Sequence, residues 1–152
     1  MTGPSFRFRL ERVRAVRERK EKLAQQELAK AVSRRASTEE ELRGAEADLE
    51  HARTEQRSVT AGAATVSATE LQARQAFLER IETQRGLHAQ ELQRCETDVA
   101  NRDAELASAA SEHEMLNRLR ERHRGEHDRE MERRERNALD EIATIRFRRS
   151  PA

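Results

Sequence analysis

The chain has no tryptophan and no tyrosine, and only four phenylalanines among 152 residues. So few large side chains cannot fill a compact core, so burial is expected along a narrow seam. The two prolines, Pro4 and Pro151, lie at the extremities. Between them nothing removes a backbone donor from a helix. The single cysteine, Cys95, excludes an internal disulfide and fits a reducing cytoplasm, where it reads as a small core residue. No run approaches the roughly 18 apolar residues of a membrane span. The opening residues also lack the apolar stretch of a secretory signal.

What the chain does have is charge. Asp, Glu, Lys and Arg make up 39% of it, yet 30 basic residues face 29 acidic ones for a net of +1. Globular domains average about 25% charged. A disordered chain is the rival reading. The abundance of Ala, Leu, Glu, Arg and Gln, the strongest helix formers, argues against it.

Apolar spacing predicts two long helices, residues 5–58 and 69–148, joined by the helix-poor stretch 59–68. In the first, Ala24, Leu28, Ala31, Leu42, Ala45, Leu49, Ala52 and Val59 recur at three- and four-residue steps, interrupted by Arg35 and Thr38. Leu10, Val13, Val16 and Leu23 form an entry segment slightly out of phase. In the second, Leu71, Leu78, Ile81, Leu92, Cys95, Val99, Leu106, Ala109 and Leu116 form the series, with Arg74, Arg85, His88, Arg102 and His113 at equivalent positions. This is a coiled-coil seam. The stretch between holds Gly62 and no charge, and Ser67 or Thr69 with Glu70 can cap the second helix.

The expected fold is therefore all-α: one rod-like domain, an antiparallel two-helix coiled-coil hairpin with a C-terminal helix overhang. At 1.5 Å per residue the helices would run about 80 and about 120 Å. A turn near residue 63 pairs positions whose numbers total 126 or 127, such as Leu49 with Leu78, Leu28 with Val99, Ala45 with Ile81 and Ala31 with Cys95. A slip of seven residues fits the same period. That register lays Arg35 beside Leu92 and Arg85 beside Leu42, and leaves everything after about residue 120 without a partner. Gly44, Gly86 and Gly125 fall inside the helices, where they read as tolerated surface glycines, with a bend or a close approach as the alternative for the first two.

Charge is polarised. Residues 7–22 carry eight basic side chains against Glu11, Glu18 and Glu21, and Arg146, Arg148 and Arg149 add three more near the close. Residues 59–117 carry a net of −5. In a hairpin the two basic stretches share one pole. Near-neutral overall charge and few aromatics for base stacking speak against nucleic acid as a partner. A basic tip entering an acidic protein cavity is the sharper reading.

His123-Arg124-Gly125-Glu126-His127 spells a zinc-binding motif, H-x-x-E-H. A catalytic zinc needs a third protein ligand in a shielded cavity, and a two-helix chain has no second layer to build one. No glycine-rich phosphate loop occurs, and no serine has a nucleophilic partner set. No enzyme, cofactor or metal site is expected.

Two segments resemble the FliJ family of flagellar export proteins. The opening Phe6-Arg7-Phe8-Arg9-Leu10-Glu11-Arg12-Val13, with Glu27-Leu28-Ala29-Lys30-Ala31, is similar to the family's N-terminus. Leu116, Leu119-Arg120-Glu121-Arg122, Leu139-Asp140-Glu141-Ile142-Ala143 and Arg146-Phe147 are similar to its C-terminal helix. The resemblance implies an antiparallel coiled coil acting as a non-enzymatic stalk of the flagellar type III export apparatus. Such a protein would be cytoplasmic, peripheral to the inner membrane. Its implied partners are the hexameric export ATPase (FliI-like), the export gate protein (FlhA-like) and export chaperones, with no direct membrane insertion.

By that resemblance, Phe77, Ile81, Gln84 and His88 match the spacing of the gate-contacting face. Phe6, Phe8, Arg9, Leu10, Arg12, Val13, Leu139, Ile142, Ile145 and Arg146 are the residues expected to meet the ATPase ring. Two alternatives are the equivalent stalk of a virulence injectisome and a coiled-coil chaperone or scaffold with no ATPase partner.

Overall fold

The computed structural model describes residues 5–62 and 65–149. Pro4 and Pro151, and Ala63 and Ala64 of the expected turn, lie outside the described residues. Two helices account for nearly all the rest: α1, Glu11–Ala61, and α2, Ala68–Arg149. Packed antiparallel, they form the all-α hairpin that the spacing predicts. The chain divides into two compact units, one formed by Met1–Lys22 with Ser108–Ala152 and one by Leu23–Ala107.

In the Leu23–Ala107 unit the seam is built from small side chains. Ala31, Thr38, Ala45 and Ala52, seven residues apart along α1, are buried together with Leu49, and Cys95 is buried on α2. Thr38 had read as an interruption. Its hydroxyl instead lies 3.7 Å from Cys95 Sγ, inside the seam. A hydroxyl satisfied by a neighbour can be buried at modest cost.

That contact also fixes the register. Thr38, not Ala31, faces Cys95, a shift of one heptad from the expected pairing. Arg35 reaches Glu96 at 4.0 Å, not Leu92, and Arg85 reaches Glu46 at 3.4 Å, not Leu42. Moving by seven keeps every apolar residue on the seam, so the apolar pattern cannot oppose the shift. Charge decides it, because the shift exchanges arginine–leucine contacts for arginine–glutamate ones. Arg34–Glu91 (2.9 Å) and Arg53–Glu82 (2.6 Å) also cross between the helices.

The helix ends near the turn follow from local chemistry. Gly62 N–H donates to Ser58 O, and the Thr60 hydroxyl donates to the carbonyls of Gln56 and Arg57. Ser67 caps α2: its hydroxyl accepts from Glu70 N–H at 3.2 Å. Gly62 keeps an ordinary negative φ. Gly44 and Gly86 are not sites of close approach, since a Cβ at either would meet nothing within 4 Å.

In the other unit, residues 5–10 are not helical, and α1 begins six residues later than expected. The reason is the alternation Phe6-Arg7-Phe8-Arg9. In extended chain both rings fall on one side, whereas in a helix they would point about 200° apart. Phe6 packs on His127 (ring centroids 5.7 Å) and Phe8 on His123 (5.9 Å). Two extended residues span about 6.6 Å and four helical residues about 6 Å, so the spacings match. The two histidines of the zinc-like motif thus serve as the floor for two phenylalanines. The same contacts carry the pairing of α2 past residue 120, to His127 and, beside Phe6, Met131.

The seam of this unit is polar. Among its described α2 residues only Ala109 is buried. Around it runs a chain of hydrogen bonds: Arg14 donates to Asn117 Oδ1 (3.4 Å), Asn117 Nδ2 lies 3.3 Å from His113 Nε2, and His113 Nδ1 lies 2.6 Å from Glu21. These directions are mutually consistent when His113 carries its proton on Nδ1. Arg17 and Lys20 both pair with Glu112.

Candidate partner-binding surfaces

The extended N-terminal segment and α2 enclose a shallow recess lined by Phe6, Arg7, Phe8, Arg9, Glu11, Arg12 and Arg120. Four guanidinium groups therefore stand around two aromatic rings. Glu11, the first residue of α1, is the only acid among them. It accepts two hydrogen bonds from Arg14 (2.7 and 3.0 Å) and lies 3.5 Å from Arg120. The Arg14 hydrogen bonds, with the charges of Arg14 and Arg120, hold its carboxyl below the usual range. They also engage its charge, so the recess stays electropositive. Arg120, Arg124, His127 and Asp128 continue the lining toward Met131.

Of the residues expected to meet an ATPase ring, Phe6, Phe8, Arg9 and Arg12 come together here. Phe8 is only 8% exposed, so it holds the segment in place and offers little surface. Leu10 and Val13 are exposed at the start of α1. Leu139, Ile142 and Ile145 form an exposed stripe along the last turns of α2, with Arg146 beside them. Spaced by three residues, they share one face of the helix. No hydrogen bond, ion pair or aromatic pair among the described residues joins that stripe to the recess.

The sequence reading missed the roles of Arg7, Arg120, His123 and His127. The signal for the histidines was present: a Phe-x-Phe pair and a His pair four apart have equal spacing. It was also silent on the exposed Met115.

The second surface lies in the Leu23–Ala107 unit. Ile81, Gln84 and His88 line a groove whose other wall is Glu41, Gly44, Ala45 and Asp48 of α1. Phe77, half exposed, sits one heptad before Gln84 on the same helical row. The four residues matched to a gate-contacting face are thus one continuous strip, with Ile81 and His88 reaching into the seam. His88 Nδ1 lies 3.5 Å from Glu41.

No cluster of three or more His, Cys, Asp or Glu side chains suited to a metal occurs among the described residues. No helix there is long and apolar enough to cross a membrane.

The family described as Flagellar FliJ protein matches residues 6–152. The chain belongs to the FliJ family. The match runs through both helices, from Phe6 in the basic recess to the end of the exposed apolar stripe. Membership of this family makes the chain a flagellar, export-related protein. No curated protein and no solved structure matches the chain.

Proposed function

We propose that this FliJ-family chain is a stalk subunit of the flagellar type III export apparatus, seated in the hexameric export ATPase and in contact with the export gate. The observation that carries the reading is the family match over residues 6–152, which includes both candidate surfaces. The basic recess around Phe6 and Phe8 supports the ATPase contact. Arginines around an apolar floor give orientation by charge and contact by burial. The stripe Leu139, Ile142 and Ile145 adds apolar surface that α1 leaves uncovered. The strip Phe77, Ile81, Gln84 and His88 is the proposed gate contact, and chaperone escort follows from the same attachment. On this reading the free energy of transport comes from ATP hydrolysis by the partner, and this chain supplies binding surfaces.

The test is co-purification with the export ATPase of the same organism, together with that enzyme's hydrolysis rate. Reversing Arg9, Arg12 and Arg120 to Glu should abolish co-purification and any rate increase. Changing Leu139, Ile142 and Ile145 together to Asp should do the same. Undiminished binding by both variants would remove the ring contact.

A further inference from the structure

Gly44 lies in mid-helix, where glycine costs up to about 1 kcal/mol relative to alanine. Its φ is ordinary, so the backbone does not require glycine. A Cβ there would meet nothing within 4 Å, so neighbouring side chains do not require it either. Nothing inside the protein accounts for it. What the missing side chain does is open the groove walled by Glu41 and Asp48 on α1 and by Ile81, Gln84 and His88 on α2.

The chemistry of this groove is one-sided. No lysine or arginine lines it. Asp48 makes no ion pair among the described residues, and Glu41 faces only His88. Elsewhere in the same unit carboxylates that face the opposite helix are matched: Glu91 with Arg34, Glu82 with Arg53, Glu46 with Arg85. The floor is apolar, with Ile81 at its base and Phe77 exposed along the row that Gln84 continues. An apolar slot between two under-matched carboxylates has a definite complement.

We infer that the Gly44 groove receives a cationic amphipathic segment of a partner protein, one bulky apolar side chain entering over Ile81 while flanking lysines or arginines meet Asp48 and Glu41. This rests on the reading of the Phe77 strip as a partner contact and gives that partner its chemistry. Gly44 provides the space, and Asp48 the sign of charge that is accepted. The contact weakens with salt, because both carboxylates are open to solvent.

The experiment uses the full chain and a short helical peptide carrying leucines flanked by lysines, with a glutamate-flanked copy as control. Binding is followed through the amide resonances of the protein. The lysine peptide should shift Gly44, Asp48 and Gln84 saturably, and the glutamate peptide should not. Gly44→Leu should fill the slot and Asp48→Lys should reverse its charge, each weakening binding by about ten-fold or more. Gly44→Leu should melt no lower than the parent, since leucine is the better helix former. Gly86→Ala, outside the groove, should bind as the parent does.

Equal binding of the glutamate peptide, scattered shifts, or an unaffected Gly44→Leu variant would overturn the inference. The gate reading fails separately. If the full chain does not retain the export gate protein while the lysine peptide still depends on Gly44 and Asp48, only the gate assignment is lost. If the gate protein is retained equally by Gly44→Leu and Asp48→Lys, the groove inference falls and the gate reading stands.

Discussion

The same two helices hold together by different means in the two units. In Leu23–Ala107 the buried centre is small and apolar, with Ala31, Ala45, Leu49 and Ala52 buried and one hydroxyl satisfied by a thiol, and arginine–glutamate pairs lie only at its exposed edges. In the unit of Met1–Lys22 with Ser108–Ala152, Arg14, Asn117, His113 and Glu21 form a hydrogen-bonded chain across the helices. Apolar burial is insensitive to ionic strength and acid. Polar pairing is sensitive to both, and its net worth is smaller because each group gives up water to make it. The first unit is thus suited to carrying stability and the second to yielding when a partner competes for its charges.

The largest expected effect comes from the apolar side. Leu49 is 5% exposed, the most buried large side chain of either helix. Leu49→Ala should cost about 2–3 kcal/mol, at the low end for buried leucines because a two-helix seam can partly close on the gap. Denaturant unfolding checks it. A loss below about 0.5 kcal/mol would mean that the seam of this unit is not where its stability lies.

A middle-sized effect tests the polar side. His113→Ala leaves the Glu21 carboxylate without its ring donor and should cost about 1 kcal/mol. The loss should appear first as faster amide exchange in residues 108–122 and not around Cys95. His113→Leu separates packing from pairing. If leucine restores stability, the polar layer is there for register or yielding and not for strength. Equal loosening of both units on His113→Ala would erase the distinction between them.

That distinction bears on what the sequence could reveal. The seam positions were legible because heptad spacing selects one face of each helix, and Ala31, Ala45, Leu49, Ala52, Cys95 and Ala109 are all where it puts them. The register was not, because a slip of seven preserves that face. The contact of Thr38 with Cys95 and the pairing of Arg35 with Glu96 and Arg85 with Glu46 resolve it. The start of α1 was not legible either, since Phe6 and Phe8 carry a two-residue alternation inside a stretch of good helix formers. Of the candidate surfaces, the basic opening was visible as composition. The Gly44 groove was legible only as the pairing of Ala45 with Ile81; that Glu41, Gly44 and Asp48 wall it without a lysine or arginine was not.

The smallest effect concerns acid. Four carboxylates are held below their usual range: Glu11 by hydrogen bonds from Arg14, Glu18 by Lys22, Glu27 by Lys30 and Glu130 by Arg134 and Arg133. A carboxylate with a lowered folded pKa contributes stability above its unfolded value, about 4.3 for glutamate, and loses it as the pH falls through the folded value. Stability should therefore be level from neutral pH down to about 5 and decline below about 4.3. Three of the four, Glu11, Glu18 and Glu130, belong to the unit with the polar seam. That unit should loosen first on acidification, as amide exchange in residues 11–22 and 108–130 rising ahead of residues 31–52. Because these pairs are open to solvent, added salt should shrink the difference. Glu11→Gln should remove part of it at low ionic strength and change little at high. Acid exchange that begins instead around Thr38 and Cys95, or that salt leaves untouched, would show that the polar seam is no weaker than the apolar one.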